Sequence, residues 1–371
     1  MLLFLSVICI LHTYILYLLI IIVLSKFAKK VKQDESFLPS VSLLIVAYNE
    51  EKIIQRKIEN SLALDYPRLE IIIASDGSTD KTNEIALRYK EKGIILKGLP
   101  RTGKVSALNN TIPDAKGEII VLSDANVMYK EDAIRRLICN FADSSVGGVS
   151  GNVMILKTEK ATYGKGEGIY SRYEKYIQKK ESQISSVIGV DGGMYAICKR
   201  LFRPIPKYII LDDFANVVNI IKQGYRVIYE EKAIGYEDTA EGSKGEFIRR
   251  IRISGGGFQM LLKNTLGIFL FNHPFLLFQF ISHKLFRWFT PFFLLIFLIT
   301  NLILINACSI YKICLFFQLL FYLFALIGWL FKLRVKPFSI PFYFCLIQVA
   351  SLIGFYKALT GKLRVTWTKG R

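Results

Sequence analysis

The chain has 371 residues, of which 52% are hydrophobic, and a formal net charge of +19. Its apolar residues are concentrated in residues 2–24 and after about residue 265, whereas 37–262 has the composition of a soluble domain long enough to bury a core. The positive charge suits a protein that lies on an anionic membrane face and handles phosphates. Because the sequence has neither zinc-finger spacing nor an aromatic-basic RNA-binding signature, we expect no nucleic acid partner.

The N-terminal apolar run predicts a transmembrane helix over residues 1–25. Leu2 to Leu24 include no charged side chain, and about 20 such residues cross a bilayer. A signal peptide carries its positive charges before the apolar run, whereas here the lysines begin behind it, at Lys26. These lysines predict that the next segment is cytosolic. We therefore expect an integral, multi-pass protein of the plasma (inner) membrane with a cytosolic middle domain.

Residues 263–371 are expected to form an interfacial helix and about three further membrane spans. The predicted spans are Phe289–Ala307, Ile313–Phe331 and Ile340–Leu359. Leu266–Ser282 is apolar but interrupted by polar residues and a proline, which favours an interfacial helix and turn. The basic loop before the last span is predicted to be cytosolic, which would leave the basic C-terminal tail outside, against the positive-inside tendency. Either the last segment is re-entrant or one of these assignments is wrong.

The middle domain, 37–262, alternates strand and helix patterns. Strands are predicted at Val41–Ala47, Leu69–Ala74, Gly93–Lys97 and Glu118–Leu122, and helices at Glu50–Leu64, Thr79–Lys90 and Lys104–Asn110. This alternation indicates βαβ units, and the continuous apolar strands fit a sheet that is covered on both faces. The predicted fold is therefore α/β, with a Rossmann-like, mainly parallel sheet flanked by transmembrane helices.

Polar and acidic residues follow three of the predicted strands. Tyr48 and Glu50 come after the first strand, Asp76 after the second and Asp124 after the fourth. In open α/β sheets, ligands bind beyond the carboxyl ends of the strands, which share one edge of the sheet. Three such clusters at one edge predict a binding site there.

Two motifs in this region have both a structural and a ligand-binding interpretation. Asp76 opens the run DGSTD, which is typical of a turn that caps a helix, although an aspartate there also suits the N–H of a nucleobase. In Arg101-Thr102-Gly103-Lys104, the glycine permits close backbone approach and two cations flank it. That arrangement suits a diphosphate, and the alternative is a solvated basic loop.

Carboxylates at two further positions suggest a metal and a base. Asp124, with the side-chain carbonyl of Asn126, offers the oxygen ligands that Mg²⁺ prefers, and the alternative is a strand-ending turn. Asp212 and Asp213 are adjacent, so their repulsion favours a raised pKa in one of them. A carboxylate base is what the deprotonation of an acceptor hydroxyl needs. The alternative for this pair is the acidic first turn of a helix.

Glycines and arginines mark two other candidate elements. Gly192 and Gly193 interrupt an apolar β run from Val187 to Ile197, which indicates either a bulge or the close approach of a ligand. Arg249, Arg250 and Arg252 precede a glycine-rich stretch before the C-terminal apolar region. These arginines suit either a leaving diphosphate or lipid headgroups.

The order of these motifs resembles the membrane-bound enzymes of glycosyltransferase family 2, such as the synthases of cellulose, hyaluronan, chitin and poly-N-acetylglucosamine. The resemblance covers about Pro39 to Leu262 and is most specific in the stretch from Val41 to Asp80, which contains AYNE, DYP and DGS. It implies a GT-A fold, a nucleotide diphosphate sugar donor, commonly uridine-linked, and Mg²⁺ or Mn²⁺.

The resemblance also implies roles for the donor-binding residues. The nucleotide would be held by Ala47, Tyr48, Glu50 and Asp76. The residues near the base and diphosphate would be Arg101, Gly103 and Lys104.

The remaining implied roles concern the chemical step. Asp124 matches the first aspartate of the metal-binding DxD motif, and Gly192 and Gly193 match the acceptor-side loop. Asp213 matches the catalytic aspartate, with Asp212 in the place of the glutamate of the ED motif. Asp213 would deprotonate the acceptor for an inverting displacement, and Arg252 together with the metal would stabilise the departing diphosphate.

The sequence departs from the family pattern at two motifs. Asn126 replaces the second aspartate of DxD, and the QxxRW motif of processive synthases keeps its arginine at 252 but lacks the glutamine and the tryptophan. The expected function is sugar transfer to a lipid-linked or growing polysaccharide acceptor at the membrane. The altered QxxRW motif favours limited transfer over processive polymer synthesis, which stays an alternative.

Two other classes are weighed against an enzyme. A non-catalytic membrane subunit that only binds the nucleotide sugar is favoured by Asn126 alone. A transporter is disfavoured because the predicted spans lack the intramembrane charged residues expected of one.

Overall fold

A computed structural model describes the chain apart from residues 30, 157–163, 239–242, 264, 266–272, 334 and 367–371, and apart from the side chains of 164, 165, 167, 238, 243 and 244. The described residues form one sheet of eight strands. The strands are β1 Val41–Ala47, β2 Leu69–Asp76, β3 Ile94–Leu99, β4 Ile119–Asp124, β5 Val127–Tyr129, β6 Val146–Leu156, β7 Met194–Cys198 and β8 Arg226–Asp238. The four strands predicted from sequence are all confirmed, with bounds shifted by at most two residues.

The sheet has the strand order β3-β2-β1-β4-β7-β6-β8-β5. The first four strands are parallel to one another. β7 is antiparallel to both of its neighbours, β6 and β8 are parallel, and β5 is antiparallel to β8. The predicted α/β class with a mainly parallel sheet is therefore confirmed.

The helices that belong to the catalytic region lie between these strands and after the last of them. They are α3 Ile54–Leu62, α4 Thr82–Leu87, α5 Lys104–Thr111, α6 Ala133–Ile138, α7 Gly164–Ile184, α8 Asp212–Lys222 and α9 Ser243–Leu262. α3 and α4 begin later than predicted because the preceding residues hydrogen-bond the two loops to each other. Thr79 N donates to Asn49 Oδ1 at 2.8 Å, and Glu51 N donates to Asp80 Oδ2 at 3.1 Å.

Both faces of the sheet are covered, as the apolar strand pattern predicts. In β1, Leu43 and Ile45 pack with α3 and α6 on one face, and Leu44 and Val46 pack with α5 and α8 on the other. All four side chains are at most 5% exposed. Successive side chains of β1 point to opposite faces of the sheet, and the side chains on both faces are apolar. This pattern is typical of a central strand, and the polar residues that follow the strand lie at the edge of the sheet.

Four helices in the described part of the chain are long and apolar enough to cross a membrane. α1 Leu2–Leu11 and α2 Tyr17–Ser25 are joined by a π-helical turn into one helix, and α10 Pro274–Gln279 and α11 Phe286–Ile303 are joined in the same way. α12 spans Ser309–Leu330 and α13 spans Lys336–Leu359. The predicted anchor over residues 1–25 coincides with the first of these helices.

The sequence interpretation of Leu266–Ser282 as a separate interfacial helix and turn is wrong where the structure describes it. Residues 266–272 lie outside the described residues, but Pro274 begins a helix that runs without interruption to Ile303. Proline is well tolerated in the first turn of a helix because its missing N–H would be unsatisfied there anyway. His283, Lys284 and Arg287 therefore lie inside an apolar helix that begins before the predicted span at Phe289.

The residues after α13 turn back to the catalytic region. A β-carbon at Gly255 of α9 would lie 2.8 Å from Leu363 Cδ2, and one at Gly103 would lie 3.5 Å from Val365 Cγ1. The described end of the tail therefore contacts the loop in front of α5. The C-terminal tail and the catalytic sheet lie on the same side of the apolar helices.

Candidate active site

The three acidic strand ends lie at one edge of the sheet. β1 pairs in parallel with β2 and β4, so their carboxyl ends are adjacent. Asp76 ends β2 and Asp124 ends β4. The site predicted from the strand ends is thus assembled by the parallel topology alone.

Asp76 forms the centre of one half of the site. Its buried carboxylate accepts hydrogen bonds from Thr102 N and Gly103 N, both at 2.9 Å, and forms an ion pair with Arg101. The Arg101 guanidinium lies 3.4 Å from the centre of the Tyr48 ring. Tyr48, Asp76 and Arg101, all predicted to bind the nucleotide, are therefore in contact with one another.

Glycines permit this close arrangement. Gly77 has a φ of +69°, and a β-carbon there would lie 2.6 Å from Arg101 N. Gly103 has a φ of +98° and precedes the first turn of α5. Both positions favour glycine because a side chain is strained at positive φ.

Ala47 and Glu50 are less accessible than the other predicted nucleotide-binding residues. Ala47 is fully buried at the end of β1, and Glu50 is 2% exposed. The backbone N–H of Glu50 donates a hydrogen bond to Thr82 Oγ1 at 2.8 Å. The structure thus puts both residues under the floor of the cleft rather than on its surface.

Lys104 connects the two halves of the site. Its Nζ lies 2.8 Å from Asp124 Oδ1 and 3.4 Å from Asp212 Oδ2. Burial alone would lower the pKa of the Lys104 ammonium, but the carboxylates of Asp124 and Asp212 outweigh burial and raise that pKa. The site therefore holds a positive charge between two acidic side chains from different elements.

Asp213 lies beside the predicted acceptor loop. It stands in the first turn of α8, and its Oδ1 accepts a hydrogen bond from Phe214 N at 2.7 Å. A β-carbon at Gly192 would lie 3.0 Å from Asp213 Oδ2, and one at Gly193 would lie 3.8 Å from Asp124 Oδ2. The two glycines thus adjoin the predicted base Asp213 and the predicted metal ligand Asp124, and a side chain at Gly192 would crowd Asp213.

The sequence predicts that Gly192 and Gly193 interrupt an apolar β run, but in the structure they do not lie within a strand. β7 begins only at Met194, and the glycines form the turn in front of it. Asp191 closes this turn, because its Oδ1 accepts from Gly193 N at 3.2 Å and its carbonyl accepts from Met194 N at 3.0 Å. Local hydrogen bonding by an aspartate competes with strand formation.

The Asp213 carboxylate has the electrostatics of a base. Burial, and then the neighbouring Asp212 carboxylate, raise the pKa of Asp213 to about 6. Lys104 acts in the opposite direction, and so does the hydrogen bond from Phe214 N. A carboxylate with a pKa near 6 is a stronger base than an exposed aspartate, yet it is still ionised at neutral pH.

Asn126 is oriented by a residue that the sequence did not reveal. Its Nδ2 donates to Glu237 Oε1 at 2.7 Å, which leaves the amide oxygen as its other polar atom. Nearby, burial and then the charge of Glu237 raise the pKa of Asp191 to about 7. Asp191 directly precedes the two glycines in the sequence, and that position was the available signal, whereas Glu237 reaches the site only through β8.

Hydrogen bonds from α3 fix the position of β5, the strand that directly follows Asn126. Asn60 Nδ2 donates to Tyr129 O, and Tyr129 N donates to Asn60 Oδ1, both at 2.8 Å. The fully buried Lys57 donates to Val127 O and lies 4.0 Å from the centre of the Tyr129 ring. Burial lowers the pKa of Lys57 to about 7. These bonds fix the backbone beside Asp124 and Asn126.

The arginines of α9 divide into two groups. Arg249 and Arg250 both form ion pairs with the buried Glu246, at 2.7 and 2.6 Å. Arg252 has no carboxylate partner within the described residues. It lies one helical turn before Gly256, whose β-carbon would meet Leu211, the residue before Asp212. Arg252 therefore lies on the face of α9 towards the site and has no competing ion pair, whereas Arg249, whose charge also reaches Asp191 and Glu237, is paired with Glu246.

The residues at Asp124 offer a divalent cation few protein ligands. The ammonium of Lys104 already lies between two carboxylates, so this point of the site accommodates positive charge. Within the described residues, no group of three or more His, Cys, Asp and Glu side chains is arranged to hold a metal ion. Mg²⁺ typically binds one or two carboxylates together with substrate phosphates, so Asp124 and the Asn126 oxygen are a sufficient protein contribution.

Comparison with known proteins was made for both sequence and structure. Residues 42–203 match the family model Glycosyl transferase family 2. The poly-beta-1,6-N-acetyl-D-glucosamine synthase of Staphylococcus aureus is 30% identical over 236 residues, which cover 61% of this chain and 57% of that protein. The synthase of the same name from Staphylococcus epidermidis is 28% identical over 63% of this chain and 58% of that protein. This chain thus spans little more than half the length of these relatives.

One solved structure matches nearly the whole chain. The mannosyltransferase PcManGT from Pyrobaculum calidifontis, in complex with GDP-Man and Mn²⁺, superposes with a TM-score of 0.73 over 98% of this chain and all of that chain. The identity is 22%, so this likeness concerns the fold. It extends beyond the catalytic domain and includes the apolar helices.

An α/β domain with carboxylates at the carboxyl edge of its sheet, joined to apolar helices, defines the GT-A class of fold. The sequence match is consistent with this class. The chain carries a glycosyltransferase family 2 domain and is related to bacterial polysaccharide synthases.

Proposed function

We propose that the protein is an inverting glycosyltransferase that moves a sugar from a nucleotide diphosphate sugar to a lipid-linked or growing polysaccharide acceptor at the membrane. The observation that supports this function best is the contact of Asp213 with the Gly192 turn, within one cleft that also holds Asp124 and Lys104. A base, an acceptor loop and a cationic donor site are thereby adjacent.

The donor half of the cleft suits a nucleotide diphosphate. Tyr48 offers an aromatic face and Asp76 a hydrogen-bond acceptor for a base N–H, once Arg101 moves from its present contacts with both. Lys104 and the N-terminus of α5 supply positive charge for the diphosphate. A uridine-linked donor is the expectation from the family, and the guanosine-linked donor in PcManGT makes the base an experimental question.

The chemical step uses the acceptor half of the cleft. Asp213 takes the proton of an acceptor hydroxyl, the acceptor oxygen bonds to the anomeric carbon, and the bond from that carbon to the diphosphate breaks. The nucleoside diphosphate leaves with the electron pair, and Lys104 and Arg252 stabilise its charge. Mg²⁺ or Mn²⁺, held by Asp124, Asn126 and the donor phosphates, would supply further electrophilic stabilisation.

A processive synthase is the second candidate. It is supported by the names of the Staphylococcus relatives, which are polymer synthases. The altered QxxRW segment, where Arg249 and Arg250 pair with Glu246, favours limited transfer. Gel analysis of product length decides between them, because a processive enzyme yields long polymer while most acceptor is unused.

The first experiment tests the assignment of Asp213. Full-length protein in lipid nanodiscs is supplied with uridine, guanosine and thymidine diphosphate sugars, with and without Mg²⁺ or Mn²⁺, and nucleotide release is measured. Asp213→Asn should lower the rate at least about 100-fold because the base is lost, while donor affinity measured by calorimetry changes less than about threefold.

Asp114→Asn is the matched control, because Asp114 is an exposed aspartate that pairs only with Lys97. It should behave as wild type. Full activity of Asp213→Asn would refute the assignment of the base. Donor binding by wild type without release in any condition would instead support the non-catalytic subunit.

A further inference from the structure

The apolar helix that begins at Pro274 contains three basic side chains close together, and one of them differs from the other two in its partners. The helix Pro274–Ile303 includes His283, Lys284 and Arg287 within little more than one turn. Charged groups inside an apolar helix are costly unless they are paired or serve a ligand. Two of the three are paired by α7, and the third is not.

His283 and Arg287 are held by buried carboxylates. The ring nitrogens of His283 lie 2.7 Å from Glu181 Oε1 and 3.2 Å from Glu174 Oε2. Arg287 forms an ion pair with Glu174. Glu181 also accepts a hydrogen bond from Tyr17 of the N-terminal helix. These bonds fix the rotation of the helix about its axis and therefore the direction of Lys284.

Lys284 has no such partner. Within the part of the chain that the structure describes, no carboxylate oxygen lies within 4.0 Å of its ammonium, and it makes no hydrogen bond. The ammonium lies beside Gly189, where a β-carbon would be 3.4 Å from Lys284 Nζ. The side chain is only partly exposed. A cation that is partly desolvated and unpaired favours an anionic ligand.

The same face of the helix packs against the catalytic base. Phe280 and Trp288, about one turn before and after Lys284, contact Phe214 with ring centroids 6.5 and 6.3 Å apart. Phe214 directly follows Asp213. Gly189 lies three residues before Gly192, and three residues of chain reach at most about 10 Å. Lys284 therefore lies on the acceptor side of Asp213, at the junction with the apolar helices.

We propose that Lys284 is an acceptor-binding residue that binds the phosphate of a polyprenyl-linked acceptor, whose sugar hydroxyl then meets Asp213. The proposal rests on the proposed function and names the acceptor class. A lipid chain enters from the apolar helices, the phosphate lies at their edge beside Lys284 and Gly189, and the sugar extends to Gly192. A neutral glycan acceptor would leave this ammonium without an ion-pair partner.

The test is a binding measurement that does not require turnover. The full chain is reconstituted in nanodiscs of neutral phosphatidylcholine, without donor, and binding of a polyprenyl phosphate is compared with that of the polyprenol of equal chain length. Wild type should prefer the phosphate at least tenfold. Lys284→Met should remove this preference, and Lys284→Arg should keep it within about threefold because the charge is retained.

Controls separate Lys284 from general charge effects. Lys312→Met removes an exposed lysine in the first turn of α12 and should leave the preference unchanged. Phosphatidylglycerol added to the nanodiscs should compete weakly. Equal competition by phosphatidylglycerol would make Lys284 a contact for bulk lipid headgroups and overturn the proposal, and so would a wild type that binds polyprenol and polyprenyl phosphate alike.

Folding and the proposed function are controlled separately. Lys284→Met must keep wild-type donor affinity, and if it fails to fold, Lys284→Gln replaces it with a polar side chain of similar length. Phosphate preference in a protein that transfers no sugar from any donor would count against the proposed function and not against the lysine. Loss of donor hydrolysis and of phosphate binding together in a folded Lys284→Met protein would overturn the assignment to the acceptor side.

Discussion

Asp213 owes its basicity to neighbours from three separate elements. Burial in the first turn of α8, the adjacent Asp212 carboxylate and the more distant Asp124 all raise its pKa, and Lys104 partly offsets them. An aspartate and its neighbour are visible in the sequence, but the sign and size of the net shift depend on Lys104 and on burial. The sequence therefore predicts which residue is the base but not its pKa.

The raised pKa predicts the acidic limb of the pH profile. A general base acts in its ionised form, so kcat/KM should fall as the pH decreases through about 6, the pKa of Asp213. The measurement is nucleotide release at saturating metal between pH 5 and 8.

Lys104→Met tests whether the neighbouring charges set the pKa of Asp213. Lys104 lowers the pKa of Asp213, so its removal should move the acidic limb to higher pH, in addition to weakening donor binding. A limb that stays in place in Lys104→Met, or that lies near pH 4 in wild type, would contradict the environment described for Asp213.

At the scale of elements, the C-terminal tail contacts the loop that we propose as part of the donor site. Val365 contacts Gly103, whose N–H donates to Asp76 and which precedes the positive end of α5. The tail reaches this position because Leu363 packs on Gly255 of α9. A segment about 260 residues away in sequence thus forms one wall of the donor loop.

We expect Val365→Asp to weaken donor binding. The new carboxylate would lie near the diphosphate and repel it, which should raise the donor Kd about tenfold at low salt and less at high salt. Calorimetric titration with the nucleotide diphosphate measures the effect.

Val365→Asn is the control, since it is nearly equal in size and uncharged, and it should change the Kd less than about threefold. Arg364→Asp adds a carboxylate at the neighbouring exposed position. If it weakens binding as much as Val365→Asp, the effect comes from overall charge and not from the contact with Gly103.

At the scale of the whole molecule, the position of the tail constrains the membrane topology. Three apolar helices separate the α/β domain from the tail, yet both lie on the same side of these helices. We therefore expect an even number of the three to cross the membrane. α13 is the one that packs along α9: Tyr343 donates to Glu246 at 2.8 Å, and the rings of Phe258 and Phe355 are 4.9 Å apart. We therefore expect α13 to stay on the catalytic side.

Cysteine labelling in intact cells tests this topology. The six native cysteines are replaced by serine or alanine, and Cys308 or Lys362→Cys is introduced singly. Cys308, in the exposed loop between α11 and α12, should react with a membrane-impermeant maleimide added outside, whereas Lys362→Cys should react only after permeabilisation. External labelling of Lys362→Cys would mean that α13 crosses. This topology also removes the conflict between a basic tail and the positive-inside tendency.

The sequence by itself determined the features that depend on local pattern. Period-two apolar runs specified β1, β2, β3 and β4, run length specified the apolar helices, and parallel connection brought Asp76 and Asp124 to one edge. Hydrogen bonds between loops shortened α3 and α4, and a proline at the start of a helix misled the assignment of Leu266–Ser282. In each of these cases a local signal existed and a competing interaction decided the outcome.

Only the tertiary structure decided which distant residues complete the site. Lys104 lies between Asp124 and Asp212, Glu237 holds Asn126, Val365 covers Gly103, and Lys284 faces Gly189. None of these pairs is close in sequence, and charge or polarity alone does not choose among 49 lysines and arginines. The selection is made by packing, because close contact between distant segments depends on the rotation and depth of whole helices, which no local pattern encodes.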